Sequence, residues 1–199
     1  LILYDEVHLL PAPVFKVTAE IQARRRLGLT ATLVREDGRE GDVFALIGPK
    51  KFDMPWKDLE RQGWIAKARC IEVRGELPAR ERMRYLSLTP QEQVRVAYEN
   101  PSKIPLVKEI LREHHDGRIL VIGLYLSQLN EFAAELGAAL ITGDTPNKRR
   151  GELYESFRRG DTKLLILSKV GNFAVDLPDA NVAIQVSGSY GSRQEEAQR

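Results

Sequence analysis

Cysteine is nearly absent. Cys70 stands alone, so the chain can form no internal disulfide and offers no thiolate cluster for a metal, which fits a reducing compartment. No apolar run approaches the roughly 18 residues that span a bilayer, and the opening residues do not read as a secretory leader. No membrane partner is therefore expected. Charge of one sign is lacking too. The 30 basic residues stand against 28 acidic ones, a formal net charge of +2, so the overall balance does not announce a nucleic-acid binder. Internal repeats and low-complexity tracts are missing, and so is any glycine-rich loop ending in Gly-Lys-Ser/Thr. His114 and His115 are adjacent at a predicted helix end, where a solvated terminus is expected rather than a metal site.

What is present is an ordinary globular composition. The 199 residues are 43% hydrophobic and 29% charged, enough for one large domain or two small ones. Leu1-Ile2-Leu3 reads as a buried parallel strand, followed by a short amphipathic helix over 14–24 and a second strand through Leu27-Gly28-Leu29-Thr30-Ala31. Short helical pieces are expected at Val43–Ile47 and Asp58–Gln62. Ile65–Val73 alternates apolar and polar residues and predicts a strand that opens a new unit. The break is placed near Gln62–Trp64, giving expected domains of 1–63 and 64–199. Thr89-Pro90-Gln91-Glu92 carries a capping-box pattern with Pro at the first helical position, so a charged helix should run to about Glu99. Beyond Lys103 helices alternate with strands: helix 104–114, strand 119–122, helix 127–136, strand 138–142, helix 146–158, strand 164–168, strand 182–186. That alternation predicts an α/β fold with a parallel sheet.

Ligands bind open parallel sheets at the carboxyl ends of the strands. There the first strand ends in Tyr4-Asp5-Glu6-Val7-His8. Adjacent carboxylates at such a place are costly unless something cationic meets them. Magnesium carrying nucleotide phosphates would meet them: Asp5 holding the metal through water, Glu6 orienting the attacking water, His8 near the terminal phosphate. A polar loop after a strand is the plain alternative. Thr30-Ala31-Thr32 ends the second strand with two hydroxyls that could bond Glu6 or His8, or could be only a β-branched strand end. In the second half, Thr145 is a candidate N-cap with Pro146 at N1, beside the Lys148-Arg149-Arg150 run. Free helix amides and these cations suit a backbone phosphate, as a solvated basic face would also look. Ser168-Lys169-Val170-Gly171-Asn172 with Asp176 again fits phosphate or ribose contacts.

In order and spacing these residues resemble the superfamily-2 helicases of the XPB type, the xeroderma pigmentosum group B helicase and its prokaryotic relatives. Asp5-Glu6-Val7-His8 is similar to the Walker B motif in its DExH form, and Thr30-Ala31-Thr32 to motif III. Arg35-Glu36-Asp37 resembles the short Arg-Glu-Asp motif implicated in that family's DNA unwinding. Ile47-Gly48-Pro49-Lys50 and Gly63-Trp64-Ile65-Ala66-Lys67 resemble further family segments. Ser168-Lys169-Val170-Gly171 with Asp176-Leu177-Pro178 resembles motif V, and Gly191-Ser192-Arg193 through Gln198-Arg199 the start of motif VI.

The resemblance implies two RecA-like lobes, the first incomplete, with a thumb-like helical insertion at about 78–100. It implies ATP and magnesium as cofactors, with Asp5, Glu6, Gly171 and Asp176 on the nucleotide side. Asp5, Glu6, His8, Thr30, Thr32, Gln198 and Arg199 would carry catalysis. Arg35, Glu36, Asp37, Thr145, Lys148, Ser168 and Lys169 would contact or open duplex and single-stranded DNA without regard to sequence. A nuclease or a repair or transcription factor would be the protein partner, in a nucleoid or a nucleus according to source. A Walker A loop is expected upstream of Leu1 and arginine fingers past Arg199, so the sequence reads as a piece of a longer chain, inactive alone. Two alternatives stay open: a restriction-type translocase on duplex DNA, and a non-catalytic RecA-like scaffold.

Overall fold

The computed structural model describes residues 1–31, 40–168 and 177–188. The chain divides into two compact units, one of Leu1–Val73 and one beginning at Arg74. Each builds a parallel sheet, so the α/β class expected from the alternating pattern is what the chain adopts.

In the first unit β1 (Ile2–Tyr4) pairs in parallel with β2 (Arg26–Gly28), with Leu3 opposite Leu27 and Tyr4 opposite Gly28. Between them lie a 3-10 turn at Val7–Leu9, helix α1 (Pro13–Lys16) and a second 3-10 turn at Val17–Glu20. The helix predicted to reach residue 24 thus stops early. The Arg26 guanidinium explains the stop, since Nη2 donates to the carbonyls of Ala19 at 2.7 Å and Ile21 at 2.8 Å, groups that a continuing helix would have used itself. Helices α2 (Glu40–Ile47) and α3 (Trp56–Arg61) follow. The core here is small: Val7, Leu10 and Val43, with Tyr4, Leu46 and Ile47 packed around them. Leu1, Leu3, Leu27 and Leu29 remain exposed.

The strand predicted over Ile65–Val73 does not form. Residues 61–76 are exposed throughout and join no ladder, and the Ala68 N–H donates to the Glu60 carboxylate at 3.1 Å instead. Alternating hydrophobicity is the signature of a half-buried strand, but it cannot create the partner edge that a strand needs.

The second unit opens with two helices, α4 (Ala79–Tyr85) and α5 (Pro90–Tyr98). The predicted capping box is in place. Glu92 Oε2 accepts from the Thr89 N–H at 2.9 Å and from its hydroxyl at 2.7 Å, and the hydroxyl bond is the main reason the Glu92 carboxyl lies below its ordinary pKa. After α6 (Lys103–Glu113) come β3 (Ile119–Ile122), α7 (Leu126–Leu136), β4 (Ala139–Ile141), α8 (Asn147–Arg159), β5 (Leu164–Leu167) and β6 (Val182–Gln185). Helices α7 and α8 end at Gly137 (φ 60°) and Gly160 (φ 83°), left-handed positions that glycine fills without steric cost.

The four strands align in the order β4-β5-β3-β6, all parallel. Both faces are covered, as a parallel sheet requires. Val121 and Ile166 pack with Val107 of α6 and with Leu129 and Phe132 of α7. Leu120, Leu165, Leu167 and Ile141 pack with Leu153 and Phe157 of α8 and with Leu177. Strands β3, β4 and β5 alternate their side chains between these two clusters, which is why those runs read as uninterrupted hydrophobic segments.

Gly123, just past β3, marks the tightest point of this packing. A Cβ there would lie 2.7 Å from Leu129 Cδ2 and 2.9 Å from Ser187 Oγ. Gly123→Ala is expected to destabilise the second unit by about 1–3 kcal/mol through overpacking. The measurement is a urea titration, in which the alanine variant's midpoint should fall well below that of the parent protein.

Candidate functional site

The β1–β2 ladder does not end with the strands. Leu29 N–H donates to Tyr4 O at 2.8 Å, and Val7 N–H donates back to Leu29 O at 2.9 Å. Asp5 and Glu6 therefore sit in a turn whose two ends are fixed by the neighbouring strand. Asp5 is exposed, and its Oδ1 accepts the Glu6 N–H at 2.9 Å. Glu6 occupies the left-handed region at φ 50°, ψ 45°, alone among the described non-glycine residues in having positive φ. For an L-residue that conformation costs about 1–2 kcal/mol, and such strain persists only where the surroundings impose it. Here the imposing contacts are the two backbone bonds and the Leu9 N–H, which donates to Glu6 O at 2.9 Å to open the 3-10 turn.

That turn carries His8 inward. The imidazole is fully buried, and its Nδ1 is hydrogen-bonded to Thr30 Oγ1 at 2.8 Å. Glu6 Oε2 lies 3.3 Å from the same nitrogen. The contact is attractive only in the tautomer with the proton on Nδ1, because a lone pair there would face the carboxylate. Its geometry falls short of a hydrogen bond, so Glu6 Oε2 is a buried acceptor with no hydrogen-bond partner among the described residues, although the side chain as a whole is 44% exposed. An orphaned carboxylate oxygen beside an exposed carboxylate suits a ligand that brings protons or a cation. No cluster of three or more His, Cys, Asp or Glu among the described residues could cage a metal alone. A divalent cation at Asp5 would thus keep water or ligand oxygens as its remaining partners, which is how magnesium ordinarily binds.

The residues expected to act together from the sequence, Asp5, Glu6, His8 and Thr30, are thereby brought to one strand end. Gly28, which the sequence did not single out, holds the arrangement. A Cβ on it would lie 2.7 Å from Val7 Cγ2 and 2.9 Å from Val7 Cβ, so only glycine lets β2 pass under the turn. Thr32, Arg35, Glu36 and Asp37 lie outside the described residues.

At the carboxyl ends of the second unit's strands, Ser168 is buried beyond β5, and its N–H donates to Ile141 O at 3.0 Å. Thr145 does not cap α8. Pro146 holds the N-cap position, while Thr145 Oγ1 accepts the Thr142 N–H at 2.9 Å and so closes a tight turn. Of the three consecutive cations, Arg150 folds back. Its Nη2 donates to the carbonyls of Thr142 at 3.1 Å and Thr145 at 3.2 Å and staples the same turn. Lys148 and Arg149 are exposed, with Arg149 3.4 Å from Glu152. Lys169, Gly171, Asp176, Gln198 and Arg199 lie outside the described residues. No described helix is long and apolar enough to cross a membrane.

Comparison with known proteins gives this geometry a context. The family model described as the ERCC3/RAD25/XPB C-terminal helicase matches residues 59–199. Over 199 residues the chain is 60% identical to the DNA 3'-5' helicase XPB of Mycobacterium tuberculosis, covering 100% of this chain and 36% of that protein. It is 39% identical over 202 residues to the general transcription and DNA repair factor IIH helicase/translocase subunit XPB/SSL2 of Saccharomyces cerevisiae, covering 100% of this chain and 24% of that one. The chain thus spans about a third or less of the length of these curated relatives. Among solved structures it is similar to the C-terminal domain of a SWI2/SNF2 ATPase from Sulfolobus solfataricus, with a TM-score of 0.42 and 19% identity over 56% of this chain and 58% of that one.

The Val7–Gly28 contact is open to a direct test. Gly28→Ala should destabilise the first unit by about 1–3 kcal/mol, and adding Val7→Ala should return part of that loss. Strictly additive losses in denaturant unfolding would show that the contact does not hold the turn.

Proposed function

Since this chain belongs to the ERCC3/RAD25/XPB helicase family, we propose that it forms part of an ATP-dependent DNA helicase or translocase of superfamily 2. In this reading residues 1–63 are the carboxyl-terminal part of a first RecA-like lobe. Residues 64–199 belong to a second, with a thumb-like insertion at about 78–100. The observation that carries the proposal is the strand-end cluster, in which Glu6 is held in a strained backbone conformation with one carboxylate oxygen that has no hydrogen-bond partner among the described residues and lies 3.3 Å from a buried imidazole tied to Thr30. A turn in an inert scaffold has no reason to keep that combination.

Asp5 is exposed at the turn and would hold magnesium through water, and Gly171 and Asp176 would complete the nucleotide side. Bound magnesium–ATP would supply the anhydride whose cleavage drives movement. Glu6, whose side chain is 44% exposed, aligns the attacking water and takes up its proton. His8 Nδ1, 3.3 Å from that carboxylate and hydrogen-bonded to Thr30 Oγ1, links Glu6 to the segment just past β2. A change at the terminal phosphate thus has a short covalent and hydrogen-bonded route away from the turn. Gln198 and Arg199 would face the nucleotide from the motif VI segment.

DNA contacts fall on the exposed Lys148 at the β4–α8 turn, on Lys169 after β5, and on Arg35, Glu36 and Asp37, whereas Ser168 is buried and Thr145 Oγ1 already accepts the Thr142 N–H. They are mostly to phosphate, hence salt-sensitive and indifferent to sequence. Arg150 is excluded from this set because its guanidinium already holds the turn together. A repair or transcription factor is the partner class, and a nucleoid or a nucleus the place of action.

Two measurements on the full-length protein test the reading. Glu6→Gln should keep ATP binding and lose turnover by about 10²–10⁴-fold; ATP hydrolysis at the parental rate would reject the assignment. Replacing Arg35, Glu36 and Asp37 together by alanine should spare ATP hydrolysis and reduce strand displacement. An equal loss of both would mean that the tripeptide serves the fold instead.

A further inference from the structure

Gln128 lies in the first turn of α7 and is only 4% exposed, a position where an uncharged amide is costly unless both of its ends are satisfied. Both are satisfied, and by distant parts of the unit. Its Nε2 donates to the carbonyl of Tyr98, the last residue of α5. Its Oε1 accepts from the hydroxyl of Ser187, two residues past β6, at 2.8 Å. Ser187 is itself 2% exposed, and its oxygen accepts the Leu124 N–H at 2.8 Å. A single buried amide thus bridges the end of the α4–α5 pair and the carboxyl ends of two adjacent sheet strands.

A second tether runs between the same two places. Lys103, at the start of α6, donates from Nζ to the Val186 carbonyl at 2.7 Å while its ammonium lies 5.2 Å from the centre of the Tyr98 ring. Burial pushes that amine down to about 8, which marks how dry the junction is. The α5 side is fixed further by Tyr98 against Tyr125, with ring centres 6.0 Å apart, and by the Ser127 hydroxyl donating to Glu99. Val186 and Ser187 are therefore held from the α5–α6 junction by two independent side chains.

We infer that Gln128 is a positioning residue that couples the α4–α5 helical pair, whose α4 presents exposed Arg80, Arg82 and Arg84 to a phosphate backbone, to the carboxyl end of β6, so that displacement of the pair by bound DNA is felt where that strand leaves the sheet. The inference rests on reading the chain as part of a DNA-dependent ATPase. It adds a specific joint to that reading: the Tyr98–Gln128–Ser187 line. Buried polar chains of this kind have discrete arrangements, hydrogen-bonded or broken, which is what an element that transmits a displacement needs.

The test uses the full-length protein with Gln128→Met, Ser187→Ala and the pair together, each checked for an unchanged unfolding midpoint within a few degrees. ATP hydrolysis is measured with and without duplex DNA. The expected result is that each single variant keeps the DNA-free rate within about twofold and lowers the stimulation by DNA about 5-fold or more. The double variant should be no worse than the poorer single one, because both cut the same line. Stimulation that persists in both single variants, or losses that multiply in the double, would overturn the inference.

A parent protein whose hydrolysis ignores DNA would instead sink the functional reading, and the joint would then be judged by amide hydrogen exchange. Without nucleotide or DNA, Gln128→Met should speed exchange in both the 95–100 and the 182–188 segments by about 5-fold. A change confined to one of them would show that no coupling exists.

Discussion

The backbone ladder that outruns its own strands is the constraint on which the candidate site depends. Tyr4 and Leu29 bond across the end of β1, Leu29 and Val7 bond back, and the segment between has to turn within two residues. Everything chemical at this corner follows from that closure. It forces Glu6 into the left-handed region, drives His8 under the turn, and sets its ring 2.8 Å from Thr30. A side chain at position 28 would collide with Val7 and work against the closure. The carboxylates are presented by backbone geometry first and by side-chain bonds second.

The second unit handles polarity at its strand ends differently. Its sheet is sealed on both faces by α6, α7 and α8, so hydroxyls and amides at the carboxyl ends are drawn inward and satisfied there. Arg150 illustrates the result. It sits among cations that look interchangeable in sequence, yet it is spent on three carbonyls of one turn while Lys148 stays in solvent. A run of basic residues is therefore not one functional surface, and the geometry of the turn decides which members reach a ligand.

Much of this was legible before any coordinates. The strand over Ile119–Ile122 and the capping box at Thr89 were readable because each is a local pattern with a local cause. The convergence of Asp5, Glu6, His8 and the Thr30 hydroxyl on one strand end was readable because polar side chains at the carboxyl ends of parallel strands stand out in the sequence. What stayed hidden depends on partners far away in the chain. Ile65–Val73 has the rhythm of a strand and no edge to join. Thr145 has the spacing of a cap, but its hydroxyl is already taken by Thr142. Gly28 reads as one glycine among 15 until Val7 is placed above it. Gln128 sits on a helix where glutamines are normally solvated, and only tertiary packing turns it inward.

The left-handed backbone at Glu6 also has an evolutionary and practical consequence. Glycine or asparagine would relax that position and raise the protein's melting temperature, since both tolerate positive φ. Either would also remove the carboxylate. Screens that select only for thermal resilience should therefore accumulate such replacements here, and under the role proposed for Glu6 those sturdier proteins would no longer hydrolyse nucleotide, the trade-off expected wherever a functional group is held against its conformational preference.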